Sequence, residues 1–478
     1  MRTDTIAAIA TALSDSGIGI IRISGPDAVS VADSVFCTKS GRRILSQVQS
    51  HTIHYGYVID LSKGLSKDWK KDIVDEGMAV VMRAPRSYTA EDTVEIQCHG
   101  GVLVMQKVLE TVIRAGARLA EPGEFTKRAF LNGRIDLSRA EAVIDVIHSQ
   151  NEYALKSSVQ QLKGVLFEQI KDLREKIIYE IALIESALDD PEHISLEGYG
   201  ESLSEKLIKM RQQILKLLET ADNGRIMKEG ISTVIVGKPN AGKSSLLNVI
   251  VGEDRAIVTD IAGTTRDVLQ ETVKLHGISL NIIDTAGIRD AQDAVEKIGV
   301  EKAKKYAQNA DLILYVVDSS IELDDNDREI IDLIKDKKTI ILMNKTDLQQ
   351  VVTEEKIWEI IYQISDKEEA SKNIYFVRTS TKENTGIDIF EDRIKEMFFH
   401  GQLQSNHEII ITSLRHKEAL QNAYASLGLV ENSIENGMPE DFYSIDLMSA
   451  YASLGSIIGE EVGDDLVEEI FSKFCMGK

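Results

Sequence analysis

Gly237–Ser244 is the stretch of the chain whose residue types and spacing are best suited to chemistry. It reads Gly-Lys-Pro-Asn-Ala-Gly-Lys-Ser, which fits the G-x-x-x-x-G-K-S pattern of a phosphate-binding loop. The β-branched run Ile231–Val236 predicts a strand before it, and the residues after it predict a helix. Backbone N–H groups at such a helix N-terminus close on phosphates, Lys243 adds positive charge, and the Ser244 hydroxyl suits Mg²⁺. The stretch therefore predicts a nucleotide site.

Two further motifs fit the phosphate and metal end of such a site. The apolar run Ile278–Ile283 leads into Asp284–Gly287, which reads Asp-Thr-Ala-Gly. Asp284 is placed to hold the water shell of the metal, and Gly287 to offer its N–H to the γ-phosphate. Between this motif and the phosphate-binding loop, Gly263–Asp267 contains two threonines, and a threonine hydroxyl there completes the Mg²⁺ shell. The order of the motifs predicts three segments around one Mg²⁺–nucleotide complex.

A fourth motif predicts which base is bound. The strand-like run Thr339–Met343 leads into Asn344–Asp347, which reads Asn-Lys-Thr-Asp. The Asp347 carboxylate accepts from guanine N1–H and from the 2-amino group, whereas adenine offers neither donor, so this residue selects GTP. Thr379–Lys382, after the predicted strand Ile374–Val377, is positioned for a backbone contact to the base. Together, in this order, the motifs predict a GTP-binding domain.

Length and composition indicate how many domains the chain has and in which compartment it works. The chain has 478 residues, 43% hydrophobic and 28% charged, which is enough for about two to four domains. Its three cysteines, Cys37, Cys98 and Cys475, lie far apart, which suits a reducing compartment and gives no zinc signature. The sequence has no signal-peptide pattern and no run of bilayer length, so we expect a cytoplasmic protein with no membrane partner.

The net charge of −22 is unevenly distributed. Residues 1–134 carry 17 Lys+Arg against 15 Asp+Glu, which leaves 38 against 62 for the remainder. An acidic field repels RNA at long range, so nucleic-acid binding requires a basic patch or a partner protein. Solubility is the simpler explanation for most of this charge.

The chain divides into four predicted segments, and the predicted fold class is multidomain α/β. Residues 1–134 alternate short strands with helices and predict an α+β domain. Residues 135–229 and 398–478 carry apolar residues at helical spacing and predict two parts of one all-α helical domain. In the first part, a second helix ends near Gly224, after a long helix with the apolar stripe Ile170, Leu173, Ile177, Ile181, Ile184 and Leu188. In the second part the apolar stripe is Leu414, Leu420, Ala423 and Leu427. Residues 230–397 predict a Ras-like P-loop GTPase domain with a mostly parallel sheet, inserted between those parts.

The first segment contains one polar constellation. Arg22 falls on an early predicted strand, Glu95 on a later one, and Pro122–Arg134 supplies further charges. Charged residues near sheet ends usually form surface ion pairs. The spacing of these residues alone therefore predicts surface ion pairs.

With these motifs in hand, the chain resembles the bacterial MnmE (TrmE) family of tRNA-modification GTPases from end to end. The matching stretches are Gly19–Gly25, Pro122–Arg134 continuing into Asp136–Ala142, the phosphate-binding loop with Asn240, Ala262–Asp267 and the terminal Cys475–Lys478. The resemblance implies a folate-binding N-terminal domain that forms a homodimer, and a helical domain with an inserted GTPase. It also implies work with the flavoprotein MnmG on carbon 5 of the wobble uridine of certain tRNAs.

The resemblance replaces the ion-pair interpretation of the first segment with a site for a tetrahydrofolate derivative, 5-formyl- or methylene-tetrahydrofolate. The residues expected around it are Arg22, Glu95, Arg134 and Lys478. A folate needs polar partners for its pterin and a basic group for its glutamate tail. Cys475 is then either a nucleophile acting on the one-carbon group or a residue that lines the pocket.

Hydrolysis of GTP needs a group that orients water and a positive charge at the transition state. Ile288 directly follows the Asp-Thr-Ala-Gly motif, and an alkyl side chain cannot orient water. The resemblance assigns this catalytic task to Glu296, while Asp290 and Asp293 are interpreted as a solvated acidic face. Asn240 implies K⁺ in place of an arginine finger.

The resemblance and the motifs together give the ligand sets. Magnesium is expected at Ser244 and Thr265, and potassium at Asn240, Thr259, Ile261 and Thr264. The residues expected to bind GTP are Asn240, Ala241, Gly242, Lys243, Ser244, Ser245, Thr259, Asp260, Ile261, Ala262, Gly263, Thr264, Thr265, Asp284, Thr285, Ala286, Gly287, Asn344, Lys345, Asp347, Ser380, Thr381 and Lys382.

The expected function is that of a potassium-dependent GTPase that, with MnmG, adds an aminomethyl or carboxymethylaminomethyl group to the wobble uridine. Hydrolysis would drive association of the GTPase domains across the dimer. The alternative is a ribosome-assembly GTPase whose nucleotide state controls RNA docking. That class carries a basic RNA-binding appendage, which this acidic chain lacks.

Overall fold

The computed structural model describes residues 4–60, 69–253, 270–275, 278–283, 306–365, 372–399, 409–460, 462–475 and 477. The chain forms two compact units. The first comprises Met1–Ile147, Gln161–Leu203 and Ala425–Lys478, and the second comprises His148–Gln160 and Ser204–Tyr424. The predicted multidomain α/β class is confirmed, whereas the boundaries of the four predicted segments stay predictions.

A seven-stranded sheet forms the centre of the first unit. Its strands are β1 (Ile6–Ile9), β2 (Gly19–Ser24), β3 (Phe36–Cys37), β4 (Thr52–Ile59), β5 (Ile73–Met82), β6 (Thr93–Cys98) and β7 (Arg118–Leu119), in the spatial order β3-β4-β5-β6-β2-β1-β7. Only the β1–β7 pair is parallel. Helices α1 (Ala28–Val35) and α2 (Val102–Arg114) pack on one face over buried Ile21, Val81 and Ile96. Because strand side chains alternate, Arg22 and Glu95 belong to the other face.

Six helices follow along the chain. They are α3 (Glu124–Leu131), α4 (Leu137–His148), α5 (Glu152–Leu162), α6 (Val165–Asp189), α7 (Tyr199–Glu219) and α8 (Ala221–Glu229). In α6 the predicted apolar stripe is buried at Leu173, Ile177 and Ile184, which explains why the helix forms at this length. The last member of that stripe, Leu188, is 46% exposed in the final turn.

A six-stranded sheet forms the centre of the second unit. Its strands are β8 (Ile231–Val236), β9 (Gln270–Leu275), β10 (Ile278–Ile283), β11 (Leu312–Asp318), β12 (Thr339–Asn344) and β13 (Ile374–Arg378), in the order β13-β12-β11-β8-β10-β9. Every pair is parallel except β9–β10, so the mostly parallel sheet is confirmed. The long helices described in this part of the chain are α9 (Lys243–Glu253), α10 (Asp325–Ile334), α11 (Glu354–Ile364) and α12 (Ile387–Phe399). Strands β11 and β12 are buried along their whole length, as in sheets covered on both faces.

Three helices complete the chain: α13 (Leu414–Glu435), α14 (Asp441–Ile458) and α15 (Asp464–Ser472). Helix α14 packs on α6, where the Arg174 guanidinium carbon lies 3.9 Å from the Tyr451 ring centroid. Helix α15 packs through Phe471 and Phe474 against α3 and α4, which anchors the end of the chain. Of all the helices that the structure describes, none is long and apolar enough to cross a membrane.

Gly224 does not end a helix, contrary to the sequence prediction. Helix α7 ends at Glu219, Thr220 separates the two helices, and α8 runs through Gly224. A Cβ at Gly224 would lie 2.0 Å from the backbone oxygen of Ile411, so this glycine permits a close approach of two backbone segments. Helix ends and close approaches both favour glycine, and the local pattern does not separate them.

Candidate functional site

The phosphate-binding loop joins β8 to α9, as the sequence predicts. Its backbone has a positive φ at Gly237 (149°), Asn240 (62°) and Gly242 (105°). A Cβ at Gly242 would lie 2.2 Å from Asn344 Nδ2, so glycine is required there. Lys243 Nζ donates to the carbonyl oxygens of Gly237 and of the next residue, at 2.5 and 2.8 Å. The ammonium group is thus held inside the loop, where phosphates bind.

Asn344 connects the base-recognition motif to the phosphate-binding loop. It ends β12, is 1% exposed, and donates from Nδ2 to the carbonyl oxygen of Ala241 at 2.9 Å. Its Oδ1 accepts from the backbone N–H of Thr381 at 3.2 Å. Three predicted segments therefore meet at the carboxyl ends of β8, β12 and β13, where ligands bind in sheets of this kind.

Asp347 lies beside the segment that follows β13. Ser380 Oγ donates to Asp347 Oδ1 at 2.8 Å, and Lys382 Nζ lies 3.8 Å from its Oδ2. Ser380 and Lys382 were both predicted near the base. They orient the carboxylate that is expected to select guanine.

Lys345, in the same motif, forms an ion pair that the sequence analysis did not anticipate. Its Nζ lies 2.5 Å from Oδ2 of Asp318, the last residue of β11. Burial opposes the ionisation of Asp318, but hydrogen bonds from Lys345 and Ser320 outweigh it and hold the pKa of Asp318 below its usual value. A carboxylate at the end of a buried strand is the signal that would have found Asp318.

Part of the predicted site lies outside the described residues. The residues concerned are Thr259, Asp260, Ile261, Ala262, Gly263, Thr264, Thr265, Asp284, Thr285, Ala286, Gly287, Glu296 and Lys478. Ser244 and Ser245 are exposed in the first turn of α9. Within the part of the chain that the structure describes, no group of three or more His, Cys, Asp or Glu residues is arranged to hold a metal ion.

Arg22 and Glu95 pair across β2 and β6, and Arg134 joins them through Tyr88. Arg22 Nε lies 2.8 Å from Glu95 Oε1, and these side chains are only 13% and 18% exposed, so this is not a surface ion pair. The guanidinium carbons of Arg22 and Arg134 each lie 5.0 Å from the Tyr88 ring centroid. Arg134 Nη1 also donates to the Tyr88 carbonyl oxygen at 2.8 Å. Two predicted folate-site residues thus contact Tyr88, which the sequence did not single out, and Glu95 is connected to it through Arg22.

Helix α3 and the turn after it hold the loop that carries Tyr88. The Tyr88 hydroxyl and Thr126 Oγ1 lie 2.8 Å apart, within hydrogen-bond distance. Asn132 Nδ2 donates to the carbonyl oxygen of Thr89 at 2.8 Å. These contacts join residues about forty positions apart, so spacing in the sequence does not predict them.

A cluster of charged side chains, most of them buried or half-buried, supports this loop. Its members are Asp4, Glu91, Arg118, Glu124 and Arg128. The Arg128 guanidinium, 7% exposed, lies 2.9 to 3.2 Å from the three carboxylates. A hydrogen bond from Arg118 lowers the pKa of Asp4. Burial opposes the ionisation of Glu124, yet hydrogen bonds from Arg118 and Arg128 bring its pKa below the usual value, so Glu124 is ionised near neutral pH.

The end of the chain lies against the same site. Arg22 Nη1 donates to the carbonyl oxygen of Gly477 at 3.1 Å, and the Gly123 N–H donates to that of Cys475 at 3.4 Å. A Cβ at Gly477 would lie 2.3 Å from the backbone oxygen of Ile9. The Cys475 side chain is exposed. Of the terminal motif, Gly477 therefore lies beside Arg22 and Cys475 beside Gly123.

The phosphate-binding loop, the Asn344 contacts and the Ser380–Asp347 bond lie together at the strand ends of a mostly parallel sheet, as the predicted guanine-nucleotide site requires. They define a GTP-binding P-loop protein.

Comparison with known proteins gives the family. The family models "MnmE helical domain" and "GTP-binding protein TrmE N-terminus" match residues 137–475 and 5–134. The tRNA modification GTPase MnmE of Lachnoclostridium phytofermentans is 57% identical over 100% of both chains, and that of Clostridioides difficile is 46% identical over 99% of both. A solved structure of Aquifex aeolicus Era bound to GDP·AlF4⁻ is 27% identical over 42% of this chain and 67% of its own, with a TM-score of 0.27. The chain belongs to the MnmE family of tRNA-modification GTPases.

Proposed function

We propose that this protein is a potassium-dependent GTPase that, with the flavoprotein MnmG, adds an aminomethyl or carboxymethylaminomethyl group to carbon 5 of the wobble uridine of certain tRNAs. One observation supports this above all. A chain of this family combines a guanine-nucleotide site with a second, separately built polar site at Arg22, Tyr88 and Arg134. GTP hydrolysis at the first site would switch the conformation, and the second site would bind the carrier of the one-carbon group.

The nucleotide site holds GTP through residues with distinct tasks. Lys243 directs positive charge at the phosphates, and the glycine-rich backbone offers N–H groups to them. Asp347, oriented by Ser380, accepts from guanine N1–H and the 2-amino group. Ser244, exposed in the first turn of α9, is suited to bind Mg²⁺ together with Thr265.

Hydrolysis depends on a second cation and on one carboxylate. Asn240, the carbonyl groups of Thr259 and Ile261, and the Thr264 group would hold K⁺. A bound K⁺ supplies a fixed positive charge where negative charge develops. Glu296 would orient the attacking water through a second water. Hydrolysis would then drive association of the GTPase domains across a homodimer.

A tetrahydrofolate derivative fits the residues around Tyr88. Arg22, Arg134 and Glu95 are the basic and polar partners that a glutamate tail and a pterin require, and the Arg22–Glu95 pair is largely shielded from water. The ring of Tyr88 adds an apolar surface between them. Lys478 would add a further positive charge at the end of the chain. The folate supplies the one-carbon unit when bound.

The partners follow from this chemistry. The substrate is tRNA, and MnmG provides the flavin that the one-carbon transfer needs. We propose that two copies pair through their N-terminal domains and that the complex acts in the cytoplasm, where tRNA and GTP are available.

Nucleoside mass spectrometry of tRNA tests the proposal. We expect tRNA from a strain lacking this protein to carry unmodified uridine at wobble positions, and a plasmid copy to restore the modified nucleoside. Unchanged nucleosides combined with defective ribosomal particles would contradict the proposal and favour a ribosome-assembly GTPase.

A further inference from the structure

The sheet of the first unit carries a row of aromatic rings beside a basic turn, which we call the basic-aromatic patch. It consists of Tyr55, Tyr57 and Trp69 with Lys39, Arg42 and Arg43. The patch lies on the side of the sheet that also carries Arg22, since the register aligns Tyr55 with Met78, Gln97 and Ile20 on neighbouring strands. Helices α1 and α2 cover the other side.

The three rings form a continuous ladder. Tyr55 and Tyr57 have centroids 6.5 Å apart, and Tyr57 and Trp69 have centroids 5.9 Å apart. Tyr55 is 46% exposed. Lys39 Nζ lies 5.3 Å from the Tyr55 centroid, which adds a cation–π contact. Tyr57 and Trp69 are half-buried, and none of the three rings is among the buried core residues of the part of the chain that the structure describes.

The basic turn is ordered and is fixed to the ladder. The backbone N–H of Thr38 donates to the carbonyl oxygen of Arg42 at 3.0 Å, and that of Gly41 donates to Thr38 at 2.8 Å. Gly41 has a φ of 74°, and a Cβ there would lie 2.6 Å from Trp69 Nε1. Arg42 and the adjoining Arg43 are therefore exposed on a rigid turn that packs directly against an aromatic ring.

Charge around the patch is positive although the whole chain carries −22. Lys70 and Lys71, next to Trp69, are exposed, as are the three cations of the turn. Glu76 is exposed and its carboxylate accepts from the Tyr55 hydroxyl, while Asp72, in the same turn as Trp69, is half-buried. Asp75, half-buried, is bonded to His99 at 2.7 Å.

We propose that the basic-aromatic patch binds a single-stranded segment of the tRNA substrate, an inference that rests on the proposed function. Aromatic rings bind unstacked bases, and exposed arginines bind the phosphates between them. An acidic protein partner would use the cations but does not require an exposed aromatic ring beside two half-buried ones. A second copy seated here by two-fold symmetry would bring the same five cations together, which disfavours that occupant.

The test is binding of a fluorescein-labelled anticodon stem-loop RNA with unmodified uridine at the wobble position. Full-length protein is titrated by fluorescence anisotropy at several KCl concentrations. One variant combines Arg42→Gln with Arg43→Gln, and another is Tyr55→Leu, which keeps an apolar side chain and removes the ring. The matched control combines Lys107→Gln with Arg114→Gln, which are exposed on α2 at the other side of the sheet.

We expect the double arginine variant to bind at least roughly ten-fold more weakly and to lower the slope of log affinity against log salt by about 1.4, since each phosphate contact on single strands contributes about 0.7. Tyr55→Leu should weaken binding by roughly ten-fold while the salt slope stays unchanged, because stacking releases no counterions. The control should bind within about two-fold of wild type.

Light scattering and GTP hydrolysis are measured on the same samples. They distinguish failure of the proposed RNA surface from a change in oligomeric state and from failure of the proposed function. Wild-type affinity in both patch variants would overturn the RNA surface and leave the proposed function intact. A changed oligomeric state with unchanged RNA affinity would identify the patch as an interface between copies. A wild-type chain that binds no RNA at low salt would overturn the direct tRNA contact of the proposed function as well.

Discussion

Asp347 is a residue whose side-chain chemistry alone is expected to choose the nucleotide. Ser380 fixes its orientation, so a change to the carboxylate should act on the base rather than on the fold. We expect Asp347→Asn to lose roughly 10²-fold or more in GTP affinity and to gain affinity for xanthosine triphosphate, because the amide offers a donor where guanine also presents donors. Titration with both nucleotides checks this. Equal loss of both would mean that Asp347 is structural.

Asn240 is the predicted K⁺ ligand that a single substitution can test. It lies in the phosphate-binding loop with a φ of 62°, a conformation that asparagine tolerates better than most residues. We expect potassium to stimulate GTP hydrolysis and sodium to do so poorly, since the smaller ion cannot reach all the carbonyl ligands at once. Asn240→Ala should remove roughly 10²-fold of this stimulation, the scale of one lost electrostatic contact at a transition state. Hydrolysis rates across KCl and NaCl series provide the measurement, and an unchanged potassium response would place the ion elsewhere.

Ion pairs at the N-terminus of helix α10 hold the phosphate-binding loop in place. Lys238 Nζ lies 2.6 Å from Oδ2 of buried Asp327 and 3.1 Å from Asp324, the N-cap of α10. The Tyr315 hydroxyl of β11 also donates to Asp327 at 2.7 Å. Burial opposes the charge of Lys238, but these carboxylates raise its pKa nonetheless, so the ammonium group is charged at neutral pH. We call the contact between Lys238 and Asp327 the clamp.

We expect Lys238→Met to weaken GDP binding by roughly five- to thirty-fold, because loss of a charge-assisted bond to a buried carboxylate costs about 1–2 kcal/mol and loosens the loop. Isothermal titration measures this. Lys238→Arg should recover most of the affinity, whereas Lys335→Met, which removes a more exposed pair with Asp332, should have no effect. An equal loss in Lys335→Met would show that the effect comes from net charge and not from the clamp.

Elements with strong local patterns were predictable from the sequence. Strands β8 and β10 have the predicted bounds, because each is a largely buried run of apolar and β-branched residues. Tertiary contacts decided the rest. Gly224 lies inside α8 because Ile411 approaches it, and Leu414, placed on the predicted apolar stripe of α13, is 65% exposed in the first turn. Periodicity states which side of a helix is apolar, but not how far along the helix a neighbour extends.

In the candidate sites, too, local sequence patterns identify some residues and tertiary contacts determine the others. The nucleotide motifs are contiguous, so the sequence alone identifies their residues, and the roles assigned to those residues stay predictions. The Arg128 cluster unites Asp4, Glu91 and Glu124, and its Asp4 contact spans 124 positions. Tyr88 is similar, because only the fold brings it between Arg22 and Arg134. No local pattern in a single sequence marks such residues.

At the scale of the whole chain, the last residues return to the first strands. Helix α15 anchors the end through Phe471 and Phe474, and Arg22 holds Gly477 across 455 positions of sequence. The predicted GTP contacts all lie between residues 237 and 382, in the second unit. We therefore expect the end of the chain to serve the one-carbon site, and we expect GTP hydrolysis not to require it.

Deletion of Cys475–Lys478 tests this claim most directly, with GTP hydrolysis by the purified protein and wobble-nucleoside content in a complemented deletion strain measured side by side. We expect tRNA modification to be lost and potassium-dependent GTP hydrolysis to stay within about two-fold of wild type. Cys475→Ser, which keeps the volume and removes thiolate nucleophilicity, is the matched variant: retained modification there would assign the end of the chain a lining role, and lost modification a chemical one. Full modification in the truncated protein, or loss of its GTP hydrolysis, would contradict the account.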